Sequence, residues 1–360
     1  MVSVKDPAFG AVGDGVTDDT AALSAALAYA MNNGVTLMFP EGIYNYSSPI
    51  NLTLPARNNY QTERTINLQG TGSANCGLNW LGDKDTTGLT IRGTMPNSDR
   101  LKINGLRFVR PDSGPTLQGS QGAALCLENL SDVGIDDCTF FRHGYGLQLI
   151  GCLIVALNRC SLIYNDIGLR CEQGSFTSTP NVISISNSNL GANYSRGASF
   201  TKGSQNSFVN CLFENTGENV NANSIAVELT YLGGAGAVGT SFERCYFEGN
   251  KGTNIYWYAG HDMPQTLSVT NCNFNRFPGY DKQSIVADFH SRTPGSSKAL
   301  LRIAGSTFYG YGGYSPDPAK PHLTFGVGGG YDGLTLAGLD ETLFQSPVDV
   351  GTIPSLVNQV

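Results

Sequence analysis

One short phrase recurs along the chain and restricts what it can fold into. It reads DDCTF ending at Phe140, NRCSL at Leu162, SNSNL at Leu190, VNCLF at Phe213, ERCYF at Phe247, TNCNF at Phe274 and AGSTF at Phe308, with a looser copy, NGLRF, at Phe108. Each copy alternates polar, small, polar and large apolar. Cys138, Cys160, Ser188, Cys211, Cys245, Cys272 and Ser306 therefore share a side with the large residue two places on, as strand alternation requires. Successive large residues lie 32, 22, 28, 23, 34, 27 and 34 apart, a unit of about 22 residues with loop insertions. A second strand recurs in the same frame: GLQLIG at Gly146, GLRCEQ at Gly168, GASFTK at Gly197, SIAVELTY at Ser224, TNIYWYAG at Thr253 and QSIVADFH at Gln283. The period is too short for a helix-containing unit. It predicts an all-β, single-stranded parallel β-helix, a solenoid with one coil per repeat.

Stacked coils place equivalent residues at the interstrand spacing of about 4.8 Å. The cysteines then form an internal ladder of small hydrophobes, rather than a disulfide framework or a metal site. Their number, nine, is odd, and no CxxC spacing occurs. No metal or other cofactor is expected. Only 14% of residues are charged, while 45 glycines mark many turns. A net charge of −7 argues against nucleic acid, which requires clustered Lys and Arg. No apolar run is long enough for a membrane span and no signal peptide is visible.

The stretch FGAVGDGVTDDTAALSAAL, from Phe9, lacks both the P-loop lysine and the aspartate spacing of a calcium loop. It reads as a folding device. Gly13 and Gly15 supply a tight turn and Thr17 an N-cap. A helix is predicted from about Asp18 to Asn32, with Asp18 and Asp19 in its first turn, Gly34 at its end and an apolar stripe of Leu23, Ala26, Leu27, Ala30 and Met31. This helix covers the first coil, whose open edge is otherwise free to pair with other chains. GVTLMFPEGIY, which follows, supplies the first rung.

Together these two stretches resemble the opening of the pectate-lyase-like superfamily of right-handed parallel β-helix proteins, most of all bacteriophage tailspike depolymerases. The direct match covers about forty residues, and the coil repeat extends the architectural likeness to about residue 310. The resemblance implies a right-handed coil with an N-terminal capping helix and a homotrimer on a virion or outside the cell. It also implies activity toward a bacterial capsule or O-antigen polysaccharide, with other tail proteins as further partners. Polygalacturonases of this fold carry NTD, DD, GHG and RIK signatures on consecutive coils. Here only Asp136-Asp137 matches, and the clustered aspartates of a calcium-dependent pectate lyase are lacking.

Glycosidic hydrolysis takes two carboxyl groups, about 5–5.5 Å apart in retaining enzymes and 6.5–9.5 Å in inverting ones. In the repeat frame the residue after the large apolar one points outward and reads Phe141, Ile163, Gly191, Glu214, Glu248, Asn275 and Tyr309. Glu214 and Glu248 are thus predicted neighbours. On the other strand Glu228 faces out, followed by Tyr256 and Tyr258 on the next coil and by Asp288 and His290 on the one after. Glu228 and Asp288 would then lie about 9.6 Å apart at the backbone, with the tyrosines between them as a platform for sugar rings. Glu172, His261 and Asp262 are candidates to join this groove.

Two alternatives stay open. A lyase needs a base and a cation to neutralise a uronic carboxylate; Arg170 and Arg244 face outward, and Tyr258 or His290 would be the base. A non-catalytic glycan-binding or structural spike needs only polar rungs, such as Asn187, Asn210 and Asn271. The expected organisation is a cap and first rung over residues 1–50, the β-helix over 51–315 and a capping or assembly segment over 316–360.

Overall fold

The computed structural model describes residues 1–55, 64–94, 100–111, 117–174, 180–217, 223–230, 238–259, 264–277, 284–289, 298–310, 321–326, 334–345, 350–355 and 357–360. The chain divides into two compact units, Met1–Pro180 and Asn181–Val360. In each, three strands per coil feed three sheets whose neighbours are all parallel. This is the parallel β-helix that the repeat predicts.

In the first unit the phrase strands Arg107–Val109, Thr139–Phe141 and Ser161–Ile163 stack in register, and Phe108 lies flat on Phe140 at 5.0 Å. The second unit repeats this with Leu212–Glu214, Tyr246–Glu248, Asn273–Arg276, Thr307–Gly310 and Leu343–Phe344. Phe213, Phe247, Phe274, Phe308 and Phe344 form one stack with centroids 4.6–4.8 Å apart. Each such pair contributes about 0.5–1.5 kcal/mol beyond its area burial. Strands Leu323–Phe325, Leu334–Ala337, Leu343–Phe344 and Asn358–Gln359 continue the same parallel ladders past residue 315.

The seven ladder residues from Cys138 to Ser306 are all buried, and all nine cysteines are free thiols. Sγ of Cys160 donates to the carbonyls of Ile135 and Asn158 at 3.6 and 3.4 Å. The residue before each ladder position has positive φ: Asp137 48°, Arg159 51°, Asn187 51°, Asn210 53°, Arg244 53°, Asn271 55° and Gly305 60°. A left-handed residue turns the chain from one sheet to the next in a two-residue corner. Asparagine recurs there because its short polar side chain tolerates that conformation. Asn187, Asn210 and Asn271 are exposed, and Asn210 Nδ2 donates to Asn187 Oδ1 at 3.3 Å.

The capping helix spans Thr20–Asn33, with Gly34 left-handed at its end, and buries the five predicted apolar residues. It packs on strands Leu37–Phe39 and Ile50–Thr53. Its start differs from expectation. Thr17 belongs to the strand Asp14–Asp18, where its hydroxyl donates to Asp14 Oδ2 at 2.9 Å. Asp18 Oδ1 accepts Thr20 N at 2.9 Å and so satisfies the first turn. Asp19 is the N-cap residue, yet its carboxylate accepts Val12 N and Gly13 N at 2.7 and 3.0 Å, fastening the glycine turn instead. Gly13 needs its positive φ of 67°, and a Cβ there would meet the Tyr44 ring at 2.6 Å.

Candidate functional site

The site candidates closest in register lie on the phrase strands Leu212–Glu214 and Tyr246–Glu248, the second sheet of the second unit. Glu214 and Glu248 are direct register partners on adjacent coils, and Asn275 follows them in the same column. Both glutamates are half-buried. Burial, then hydrogen bonding and charge from Glu248, hold the Glu214 carboxyl above its ordinary value. Tyr246, two residues before Glu248 and so on the same face, donates its hydroxyl to Glu248 Oε2 at 2.9 Å. Asn275 Nδ2 donates to the Tyr246 oxygen at 2.8 Å. The arrangement pairs a carboxyl whose hold on its proton is strengthened with one whose oxygen accepts a phenol. The preceding position in the column, Gly191, lies so close that a Cβ would meet Glu214 O at 2.6 Å.

The groove on the third sheet, formed by strands Ile225–Thr230, Thr253–Ala259 and Ile285–Phe289, differs from its predicted geometry. Glu228 pairs with Tyr256, and Tyr256 with Val286; Asp288 stands instead in the column of Thr230 and Tyr258. Two coils and two residues separate Glu228 from Asp288, about 12 Å between backbones, beyond the 9.6 Å expected. Glu228 is engaged by Arg196, with Nε 3.2 Å from Oε2 and Nη2 donating to Oε1 at 3.3 Å, and by Ser199, whose hydroxyl donates at 3.0 Å. Tyr256 donates to Asp288 Oδ2 at 3.0 Å. Burial first, and that bond second, push its phenol up, so it remains a donor. Gly326 leaves room for this carboxylate, since a Cβ there would lie 2.5 Å from Asp288 Oδ1.

In the first unit Arg170 and Glu172 bind one another, Nη2 to Oε1 at 2.6 Å. Arg170 also lies over the Tyr145 ring, 4.9 Å from its centroid, and Gln148 Nε2 donates to Glu172 Oε2 at 2.7 Å. Arg244 occupies a left-handed corner, 3.3 Å from Glu243 and 3.1 Å from Asn210 Oδ1. His261, Asp262 and His290 lie outside the described residues.

No motif in the sequence marks Arg196, Ser199 or Tyr246. Tyr246 is legible from alternation alone, because it sits two places before Glu248. Arg196 is not, because its guanidinium reaches across from its own coil to the next. Among the described residues no helix is long and apolar enough to cross a membrane.

Two family models match the chain: one described as rhamnogalacturonase A/epimerase, pectate lyase-like, over residues 1–81, and one described as right handed beta helix region, over residues 123–287. No curated protein matches in sequence. Among solved structures, ORF18 of Geobacillus virus E2 is 18% identical with a TM-score of 0.64, covering 87% of this chain and 58% of its own. Tailspike protein 2 of Escherichia coli O157:H7 bacteriophage CAB120 is 12% identical with a TM-score of 0.65, over 99% of this chain and 46% of that one. The mannuronan C-5 epimerase AlgE4 A-module of Azotobacter vinelandii is 15% identical with a TM-score of 0.59, over 99% and 100%. The chain spans about half the length of the two phage proteins. By its coils the chain is a right-handed parallel β-helix, with a pectate lyase-like match over residues 1–81 and a right-handed β-helix match over residues 123–287.

Proposed function

We propose that the protein is a tailspike-like depolymerase that hydrolyses a bacterial surface polysaccharide at Glu214 and Glu248. The observation that carries this reading is their register partnership on adjacent coils, together with the raised Glu214 carboxyl. A one-coil spacing of about 4.8 Å is nearest the separation of retaining glycosidases. Glu214 donates a proton to the leaving glycosidic oxygen. Glu248, oriented by Tyr246, attacks the anomeric carbon, and the glycosyl-enzyme is released by water with Glu214 as base. Likeness to a virus protein and to a phage tailspike supports a virion location, and a homotrimer in contact with other tail proteins belongs to the same proposal. Within this reading residues 1–50 act as a cap, 51–315 as the main coil body, and 316–360, whose described strands extend the same ladders, as a terminal capping or assembly segment.

The third-sheet groove favours a second reading. Arg196 reaches Glu228 from the preceding coil, and Tyr256, the partner of Glu228 on the following coil, is bound to Asp288, so a cation and a proton-handling dyad share one face. Such a face suits β-elimination on a uronic polymer.

The test incubates the protein with a panel of capsular and O-antigen polysaccharides and follows product mass and ultraviolet absorbance. Shortened, saturated products support hydrolysis and an unsaturated end supports elimination. Binding without any shortening supports a spike that only adheres.

A further inference from the structure

The carboxyl column continues past Glu248. Asn275 follows on the next coil and Tyr309 on the one after, in direct register. At the rung spacing they stand about 4.8 and 9.6 Å beyond Glu248, close to one and two pyranose lengths in an extended chain. A second column, Leu212, Tyr246, Asn273 and Thr307, runs beside them.

The far end of this face suits a sugar. Tyr309 is 45% exposed, while its strand is anchored from beneath by Phe308, stacked between Phe274 and Phe344 at 4.6 and 4.8 Å. The ring is thus a held, outward apolar face with a polar tip, which the C–H face and hydroxyls of a pyranose match. Asn275 gives Nδ2 to the Tyr246 phenol at 2.8 Å, and its Oδ1 is left to accept a hydroxyl. Phe277 walls the corner beside Glu248, since a Cβ on Gly249 would lie 2.9 Å from its ring. The two columns hold two carboxylates and no cation. Arg244, at the corner before Tyr246, is engaged by Glu243 and Asn210. A polyanion laid over the columns therefore meets repulsion that they do not offset.

We infer that Asn275 and Tyr309 form a subsite for the uncleaved part of the polymer and that the segment held there is uncharged, an inference resting on the reading of Glu214 and Glu248 as the cleaving pair. It gives the substrate a direction, along the coil axis. It also gives a class, a polysaccharide whose bound stretch carries no carboxylate or phosphate.

The test uses capsular and O-antigen polysaccharides sorted into those with and those without carboxylate or phosphate groups. The native protein should shorten at least one neutral polymer. On that polymer Tyr309→Ala should raise KM about tenfold, equivalent to about 1.4 kcal/mol, lower kcat less, and melt with the native protein. Tyr309→Trp, which restores a ring, should recover most of the loss. The penalty should be confined to oligosaccharides long enough to reach two sugars past the cut, a dependence that a merely structural role does not produce. Affinity electrophoresis in the Glu214→Gln background reads the subsite without turnover, and adding Tyr309→Ala there should lower retardation by a similar factor. Cleavage of acidic polymers alone, unchanged KM and retardation in Tyr309→Ala, or a loss independent of oligosaccharide length overturns the inference. So does a variant that alters only the sedimenting mass, which makes the ring a contact between copies of the chain. Retardation that depends on Tyr309, with no shortening by the native protein, sinks the cleaving pair and supports the subsite. A neutral set that is neither cut nor retarding overturns the subsite as well.

Discussion

Tyr246 donates a hydrogen bond to Glu248 while Glu248 stands directly beside Glu214 on the neighbouring coil. In the proposed reaction the phenol orients one of two chemically identical side chains and leaves the other to act as acid. Glu214→Gln and Glu248→Gln are each expected to lower depolymerisation by about 10²–10⁴-fold, with binding of the polymer retained. Tyr246→Phe should lower kcat more than it changes KM. Full activity in both glutamine variants would sink the assignment.

The raised Glu214 carboxyl has a defined pH signature. An acid whose folded value lies above its unfolded value contributes stability that is fully present at low pH and lost as pH rises through the folded value. Wild type should therefore lose stability relative to Glu214→Gln as pH rises through that value, and activity should fall over the same interval as the acid loses its proton. In Glu248→Gln the Glu214 carboxyl should titrate lower, by carboxyl NMR, though burial keeps it above an exposed glutamate. An unchanged titration in that variant would show that the two groups do not interact.

Arg196 and Glu228 form a partly buried pair, with side chains 22% and 21% exposed. Removing one partner strands the other, so Arg196→Ala should cost about 1–2 kcal/mol, between the values for exposed and buried pairs. Arg196→Ala/Glu228→Ala should recover part of that loss in urea denaturation. If instead the losses simply add, the pair is not coupled.

The left-handed corners make a clean test of backbone strain. Asn210→Val should destabilise by about 1–2 kcal/mol, since a β-branched residue is least at ease with positive φ. Asn210→Gly should stay within about 0.5 kcal/mol of wild type. Equal losses for valine and glycine in thermal unfolding would mean that the side-chain bond to Asn187, not the backbone, governs the position.

Burial pushes the Cys152 thiol up to about 12 and that of Cys160 to about 11. All nine cysteines are buried and free, so none should react with a maleimide in the native protein and nine should react in guanidinium, read by mass. Prompt labelling of the native chain would contradict the ladder.

Much of the scaffold could be read from residue pattern, because a coil repeat writes the same alternation many times. The Cys and Phe ladders, the second strand series and the helix stripe from Leu23 to Met31 follow from period and side alone. Register between columns is harder. In Ile225–Thr230 Ala226 and Val227 are both buried, so strict alternation begins only at Val227. The Asp288 offset comes from a pairing that sequence spacing does not reveal. Side chains that cross coils, such as Arg196, are invisible to any reading within one strand. So are the buried amides of Asn193 and Asn250, whose Nδ2 atoms donate to the Leu190 and Phe213 carbonyls. Their polar character marks them as loop residues until the fold turns them inward.

The two-residue left-handed corner also governs where the chain can vary. From Asn104 to Ala304 it keeps one length in every coil, whereas the connections at the other two corners range from two residues, 129–130, to thirteen, 110–122. Insertions are thus confined to two of the three edges, while the third counts out the rungs at constant spacing. A lineage, or an engineer, can replace whole loops along those two edges without shifting any residue to the wrong face. New surface recognition can arise on an unchanged chassis.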